Sequence, residues 1–183
     1  MMSFFSTTAT LYHVTPLPPG VTFEAAKPLL HNHDVLIKLD PDFDHYETLP
    51  STEDAPNTKR YKVTDHLSAI PKGLWSSTVT FEAHITNTEE GMEWVIKAPL
   101  GLTQTTSWRI VRTSDLEKGK EKAVDKEAEE ADTANKSEWS LVEDVLISGS
   151  RLIVGTVKGK CEQNWRGIHG RLLEHMKPIA ANA

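Results

Sequence analysis

The chain has 183 residues, 38% hydrophobic and 25% charged, which suits one domain with an insertion and leaves enough apolar material for a sizeable core. Acidic residues outnumber basic ones 26 to 20, for a formal charge of −6, and no basic cluster interrupts that excess. Nucleic acid is therefore not an expected partner, because Lys and Arg neutralising phosphates carry most of such affinity.

Residues 4–14 read as a strand of β-branched, aromatic and Thr residues, broken by Pro16, Pro18, Pro19 and Gly20. Thr22 is placed to cap a short helix over residues 23–31, with Glu24 in its first turn. A second short helix is expected over residues 34–39, ended by Pro41, and a short strand with a loop within 46–57. From there the chain turns to strands: 59–68, 76–87, 92–98 and 102–113, with turns at Glu89-Glu90-Gly91 and Pro99-Leu100-Gly101. In the second of these Val79, Phe81, Ala83 and Ile85 share one face and Thr78, Thr80, Glu82 and His84 the other. That period of two marks a half-buried antiparallel sheet.

Residues 115–137 change character, with Lys, Glu, Asp and Ala in place of large apolar side chains. Such a segment cannot bury enough surface to offset its ordering entropy, so a charged, flexible insertion is expected there. It also offers a docking segment for a basic protein partner. A strand resumes over 139–147, Gly149 and Ser150 break it, and a long helix is expected from about 152 to 177, stopped by Pro178. Ile153, Val157, Cys161, Trp165, Ile168, Leu172 and Met176 recur along it at spacings of three and four, one continuous apolar stripe.

No run approaches the roughly 18 apolar residues needed to cross a bilayer, and residues 1–14 alternate rather than forming an apolar leader. Cys161 is the only cysteine, so no intrachain disulfide can form and a soluble, cytoplasmic protein without stable membrane insertion is expected.

Strand, two short helices, a run of antiparallel strands and one long amphipathic helix is an order that resembles the Bet v 1/START-like superfamily, also called the polyketide-cyclase or SRPBCC group. More narrowly, the chain is similar to a fungal family, DUF7053. Val14-Thr15-Pro16-Leu17-Pro18-Pro19-Gly20, Tyr61-Lys62-Val63-Thr64-Asp65-His66, Ala98-Pro99-Leu100-Gly101-Leu102 and the final helix with Trp165 to Leu173 carry that likeness. The resemblance implies an α+β helix-grip fold spanning residues 1–183, a curved antiparallel sheet wrapped around the C-terminal helix with an apolar cavity between them. It transfers no catalytic residue, since one scaffold serves carriers, receptors, cyclases and hydrolases.

Two carboxylates interrupt apolar strand faces. Asp65 alternates with Tyr61, Val63 and Leu67, and Glu143 with Trp139, Leu141, Val145 and Ile147. In an apolar cavity, desolvation would raise either carboxyl toward the range of general acid/base work; turned outward by a bulge, or satisfied by an Arg or backbone donors, either would be structural. Trp94, Trp108 and Trp165 are candidate cavity walls, and equally core. Gln104 shares a face with Thr106 and Trp108 and could orient a ligand carbonyl, Tyr61 is a further lining residue, and His169 stands at the edge of the helix stripe. The eight histidines and Cys161 show no metal-ligand spacing, and no nucleotide or serine-hydrolase motif is present, so neither metal nor cofactor is expected. Two functions remain open: a carrier of a hydrophobic lipid, polyketide or terpenoid, or a cofactor-free cyclase, isomerase or dehydratase of fungal secondary metabolism using Asp65 or Glu143.

Overall fold

The structure, a computed structural model, describes residues 6–66, 78–116 and 137–181. It has seven strands and three α-helices among these residues: β1 (Ser6–Pro16), α1 (Phe23–Leu30), α2 (His33–Ile37), β2 (Phe43–Leu49), β3 (Thr58–His66), β4 (Thr78–Asn87), β5 (Gly91–Ala98), β6 (Leu102–Arg112), β7 (Trp139–Ser150) and α3 (Arg151–Ala181). The expected insertion at 115–137 falls almost entirely on 117–136, outside the described residues.

All strands join one antiparallel sheet in the order β1-β7-β6-β5-β4-β3-β2. The last strand of the chain thus sits between the first and the sixth, and the sheet curves around α3 as a helix-grip fold. Thr22 does cap α1, its hydroxyl accepting from the Ala25 amide, and Asn32 caps α2 the same way from Val35. Both satisfy donors that a helix start leaves free.

The described elements follow the expected order, with four corrections. Pro16 does not break β1, which runs through it and pairs Pro16 with Ser140. Gly149 and Ser150 do not break β7, which pairs through Thr7↔Gly149 and Ser6↔Ser150 before turning directly into α3. Pro178 does not stop α3, which continues to Ala181. A proline removes only its own bond to the carbonyl four residues back, and less than one turn follows it. The buried line of α3 is Val154, Trp165, His169, Leu172 and Met176, with Val157 and Cys161 half-buried. His169, expected at the stripe's edge, lies at its centre, 1% exposed.

The core divides the concave face in two. At the end where β5 begins, α1 and α2 close over the sheet, burying Ala26, Leu30, Leu36 and Ile37 with Ile85, Met92, Ile110, Leu141, Leu172 and Met176. His31 pins this lid by hydrogen bonds to the Thr88 and Gly91 carbonyls. Gly91 is required there, since a Cβ would come 2.0 Å from the Trp108 carbonyl oxygen. Toward the other end α3 lies against β1 and β7. There the inward residues of β4 to β6, among them Val79, Phe81, Trp94, Ile96, Gln104 and Thr106, are only half-buried. The two halves therefore differ in openness, and each holds one of the two carboxylates.

Candidate functional site

Glu143 lies on β7 between His13 of β1 and Trp108 of β6, its direct partners in the sheet register. The pleat points all three to the face that α3 covers, because facing residues of neighbouring strands project to the same side. His13 donates from Nδ1 to Glu143 Oε2 at 2.7 Å, and Trp108 donates from Nε1 to Oε1 at 2.8 Å. From α3, His169 brings Nε2 to 3.4 Å from Oε2. That contact is close enough for charge attraction but outside hydrogen-bond geometry, and Nε2 is buried with no hydrogen bond among the described residues. The other nitrogen of His169 pairs with the Thr15 hydroxyl at 2.7 Å. Trp165 stacks on His13 with ring centroids 4.4 Å apart and planes 9° from parallel, and stands edge-on to His169.

Burial alone would push the Glu143 carboxyl up. The hydrogen bonds from His13 and Trp108, together with the nearby imidazole of His169, outweigh it and hold the group at about 2. Of the two states that the sequence left open for Glu143, the contacts are those of the paired one. It is a satisfied carboxylate, its partners two histidines and a tryptophan rather than an Arg or backbone donors. An acid held at about 2 is too weak a base to take protons efficiently near neutrality. Trp108, Trp165 and His169 are brought together here as the shell of Glu143.

Asp65 behaves oppositely. Near the end of β3 it faces Val79 of β4 and Phe43 of β2, 8% exposed. The one register shift in this neighbourhood falls in β2 between Phe43 and His45, so β3 keeps its alternation and Asp65 stays inward with Tyr61 and Val63. Its Oδ1 is buried without a hydrogen-bond partner among the described residues. Desolvation, reinforced by the carboxylates of Asp40 and Asp42 and opposed by Lys160, raises it to about 6. Lys160 reaches down from α3 to bond Asp42 at 2.8 Å, tying the middle of the helix to the corner before β2.

The remaining sequence candidates are scattered. Tyr61 is bonded through its hydroxyl to His33 Nδ1 at 2.9 Å, in the closed half. Trp94 is half-buried, and its Nε1 has no partner among the described residues. Gln104 reaches Thr106 at 3.2 Å and Cys161 Sγ at 3.7 Å. Burial pushes the Cys161 thiol up to about 11, so it is no nucleophile near neutrality. His13 and Thr15 were missed from the sequence. The signal was their phase with Ala9 and Leu11, which places all four on one face of β1.

Around Glu143 the rings of His13, Trp108, Trp165 and His169 pack against one another. Two clefts elsewhere have volumes of about 350 Å³, between α2 and the last turns of α3, and about 640 Å³, along the first turns of α3. Neither is lined by any residue singled out above. Among the described residues no group of three or more His, Cys, Asp and Glu side chains could hold a metal ion, and no described helix is long and apolar enough to cross a membrane.

Comparison with known proteins agrees with this architecture. The family model described as a domain of unknown function, DUF7053, matches residues 6–178. No curated protein matches the sequence. Among solved structures the fold is shared with the Zhui aromatase/cyclase from Streptomyces sp. R1128 (TM-score 0.61, 8% identity, covering 92% of this chain and 93% of that one). It is shared also with truncated norcoclaurine synthase from Thalictrum flavum (0.59, 10% identity, 97% and 98%). A START superfamily protein from Mycobacterium smegmatis follows (0.52, 8% identity, 93% and 98%). At such identities the likeness is one of fold.

Proposed function

The chain belongs to the DUF7053 family, and from that premise and its helix-grip fold we propose that it binds a hydrophobic small molecule (a lipid, polyketide or terpenoid) on the open half of its concave face. The observation that carries this reading is the half-buried state of Phe81, Trp94 and Ile96 on a face that α1 and α2 close over further along, Phe81 and Trp94 standing at the margin of that closed core. Large apolar side chains facing inward without full cover are what a ligand of this class can complete. A ligand covering about 200 Å² of such surface gains roughly 5 kcal/mol before association costs, so shape and a polar contact must supply selectivity. The named activities of the aromatase/cyclase and the synthase belong to those proteins; that scaffolds of this shape serve small-molecule chemistry supports the reading without fixing it. Lack of any possible intrachain disulfide fits a cytoplasmic site of action.

Native mass spectrometry of protein purified from the cells that make it tests the proposal. A bound mass of a few hundred daltons that is lost on unfolding supports it. An empty protein that also fails to brighten an apolar dye, or that binds the dye equally well as Phe81→Ala, overturns it.

A second reading has its own observation. Asp65, buried, with no hydrogen bond to Oδ1 among the described residues and raised to about 6, is poised to exchange a proton near neutral pH. As a cofactor-free cyclase, isomerase or dehydratase, the protein would use Asp65 to take or give a proton while the groove holds the substrate folded. Glu143 then acts at a distance, fixing His13 and His169. Asp65→Asn should lower turnover of the co-purified ligand by about 10²–10⁴-fold with affinity largely kept. Unchanged turnover removes Asp65 from that role.

A further inference from the structure

The neighbourhood of Asp65 holds more negative than positive charge. Asp40 and Asp42 act on it in the same sense as its burial, while Lys160 is the ammonium that opposes them and is itself engaged with Asp42 Oδ2 at 2.8 Å. His66 follows on the outer face of β3, its side chain 56% exposed and 3.6 Å from Asp44. Three carboxylates thus face one committed ammonium. One oxygen of the most deeply buried carboxyl, Asp65 Oδ1, has no hydrogen-bond partner among the described residues. A buried charge in that state is costly unless a donor reaches it.

Accepting that the open half of the groove binds an apolar molecule, we propose that its ligand is a hydrophobic amine. Its protonated nitrogen donates to Asp65 Oδ1, and its apolar body lies along Val79 and Phe81. An anionic ligand would meet the same excess of carboxylates and be repelled. A neutral alcohol could donate a hydrogen bond but would leave the negative charge unbalanced. A cation satisfies both demands, and charge-assisted hydrogen bonds are about twice as strong as neutral ones. The protonation of Asp65 near pH 6 adds a pH dependence, because a neutral carboxyl no longer attracts an ammonium.

Three probes of one shape separate the terms: 1-naphthylethylamine, 1-naphthaleneethanol and 1-ethylnaphthalene, titrated by fluorescence into the intact protein. At about pH 7.5 the amine should bind roughly 10–100-fold tighter than the alcohol, the usual gain of one hydrogen bond to a charged group. The preference should shrink below about threefold at pH 5, where the buried carboxyl is protonated, and likewise in Asp65→Asn. Lys160→Met, which removes the competing ammonium, should strengthen the amine and leave ethylnaphthalene unchanged, so the site is tested even where Asp65→Asn fails to fold. Ethylnaphthalene bound with no preference for the amine overturns this inference and leaves the binding proposal standing. No binding of any probe overturns both. An amine preference that survives unchanged in a folded Asp65→Asn overturns the assignment to Asp65.

Discussion

Glu143 and Asp65 are both inward-facing acids on strands of one sheet, each 8% exposed, yet burial leaves them in opposite states. Glu143 stands where three elements converge, and β1, β6 and α3 each present it an imidazole or indole nitrogen. Asp65 stands near the end of β3, where α3 supplies a lysine that is taken by Asp42. The more deeply desolvated acid, Glu143, is nevertheless the one held at about 2, while Asp65 is raised to about 6. Burial of an acid does not by itself make it reactive; what decides is whether donors are built to meet it. The region around Glu143 is a polar network that holds the sheet to the helix, whereas Asp65 Oδ1 meets no donor among the described residues.

The sharpest way to break this contrast is Trp165→Ala. The indole stacks on His13 and is 8% exposed, so truncation should cost about 3–5 kcal/mol in denaturant unfolding. A variant that melts like the parent would mean that the network does not rest on α3. Next comes Glu143→Gln, which removes the charge that His13 and Trp108 donate to and should cost about 2–4 kcal/mol at neutral pH. The sign of its pH dependence follows from the depressed carboxyl. Stability from Glu143 is present above the unfolded value of 4.5 and is lost as pH falls toward about 2. The substitution should therefore flatten the acid limb of the stability curve.

Asp65→Asn should move the other way. A carboxyl raised from 3.8 to about 6 destabilises the fold as pH rises through that window. The variant should then gain about 1–2 kcal/mol at pH 8, less than the whole shift implies because water screens part of the site, and nothing at pH 4. Loss of stability at pH 8 would show that Asp65 is satisfied after all. The smallest effect belongs to Leu100, outside both regions, which is 84% exposed at φ 63°. That backbone is strained for any L-residue with a side chain, so Leu100→Gly should gain about 1 kcal/mol, equally at all pH values. A pH-dependent gain there would mean that the titrations of Glu143 and Asp65 are not local.

The sheet was legible in the sequence because its strands obey a period of two and are punctuated by Gly and Pro turns, as Val79 to Ile85 show. The Thr22 cap was legible for the same local reason. What escaped was everything decided across the sheet. Glu143 and Asp65 look alike along the chain, each an acid among apolar residues, and the difference lies in partners up to 130 residues away. His13 carries no local mark beyond its phase in β1. His169 reads as polar in a helix stripe scored by hydrophobicity, although an imidazole whose Nδ1 meets the Thr15 hydroxyl sits in the buried line beside Leu172. Trp108 was legible as a wall residue but not as a donor, since only the β6–β7 register brings its Nε1 to Glu143.

The most direct test of the contrast is a carboxyl titration of ¹³C-labelled protein by nuclear magnetic resonance, with Glu143→Gln and Asp65→Asn assigning the two signals. The account predicts a midpoint near 6 for Asp65 and a Glu143 signal that stays that of a carboxylate down to the acid edge of folding. A Glu143 that titrates near 6, or an Asp65 that titrates at its ordinary value of 3.8, would contradict it.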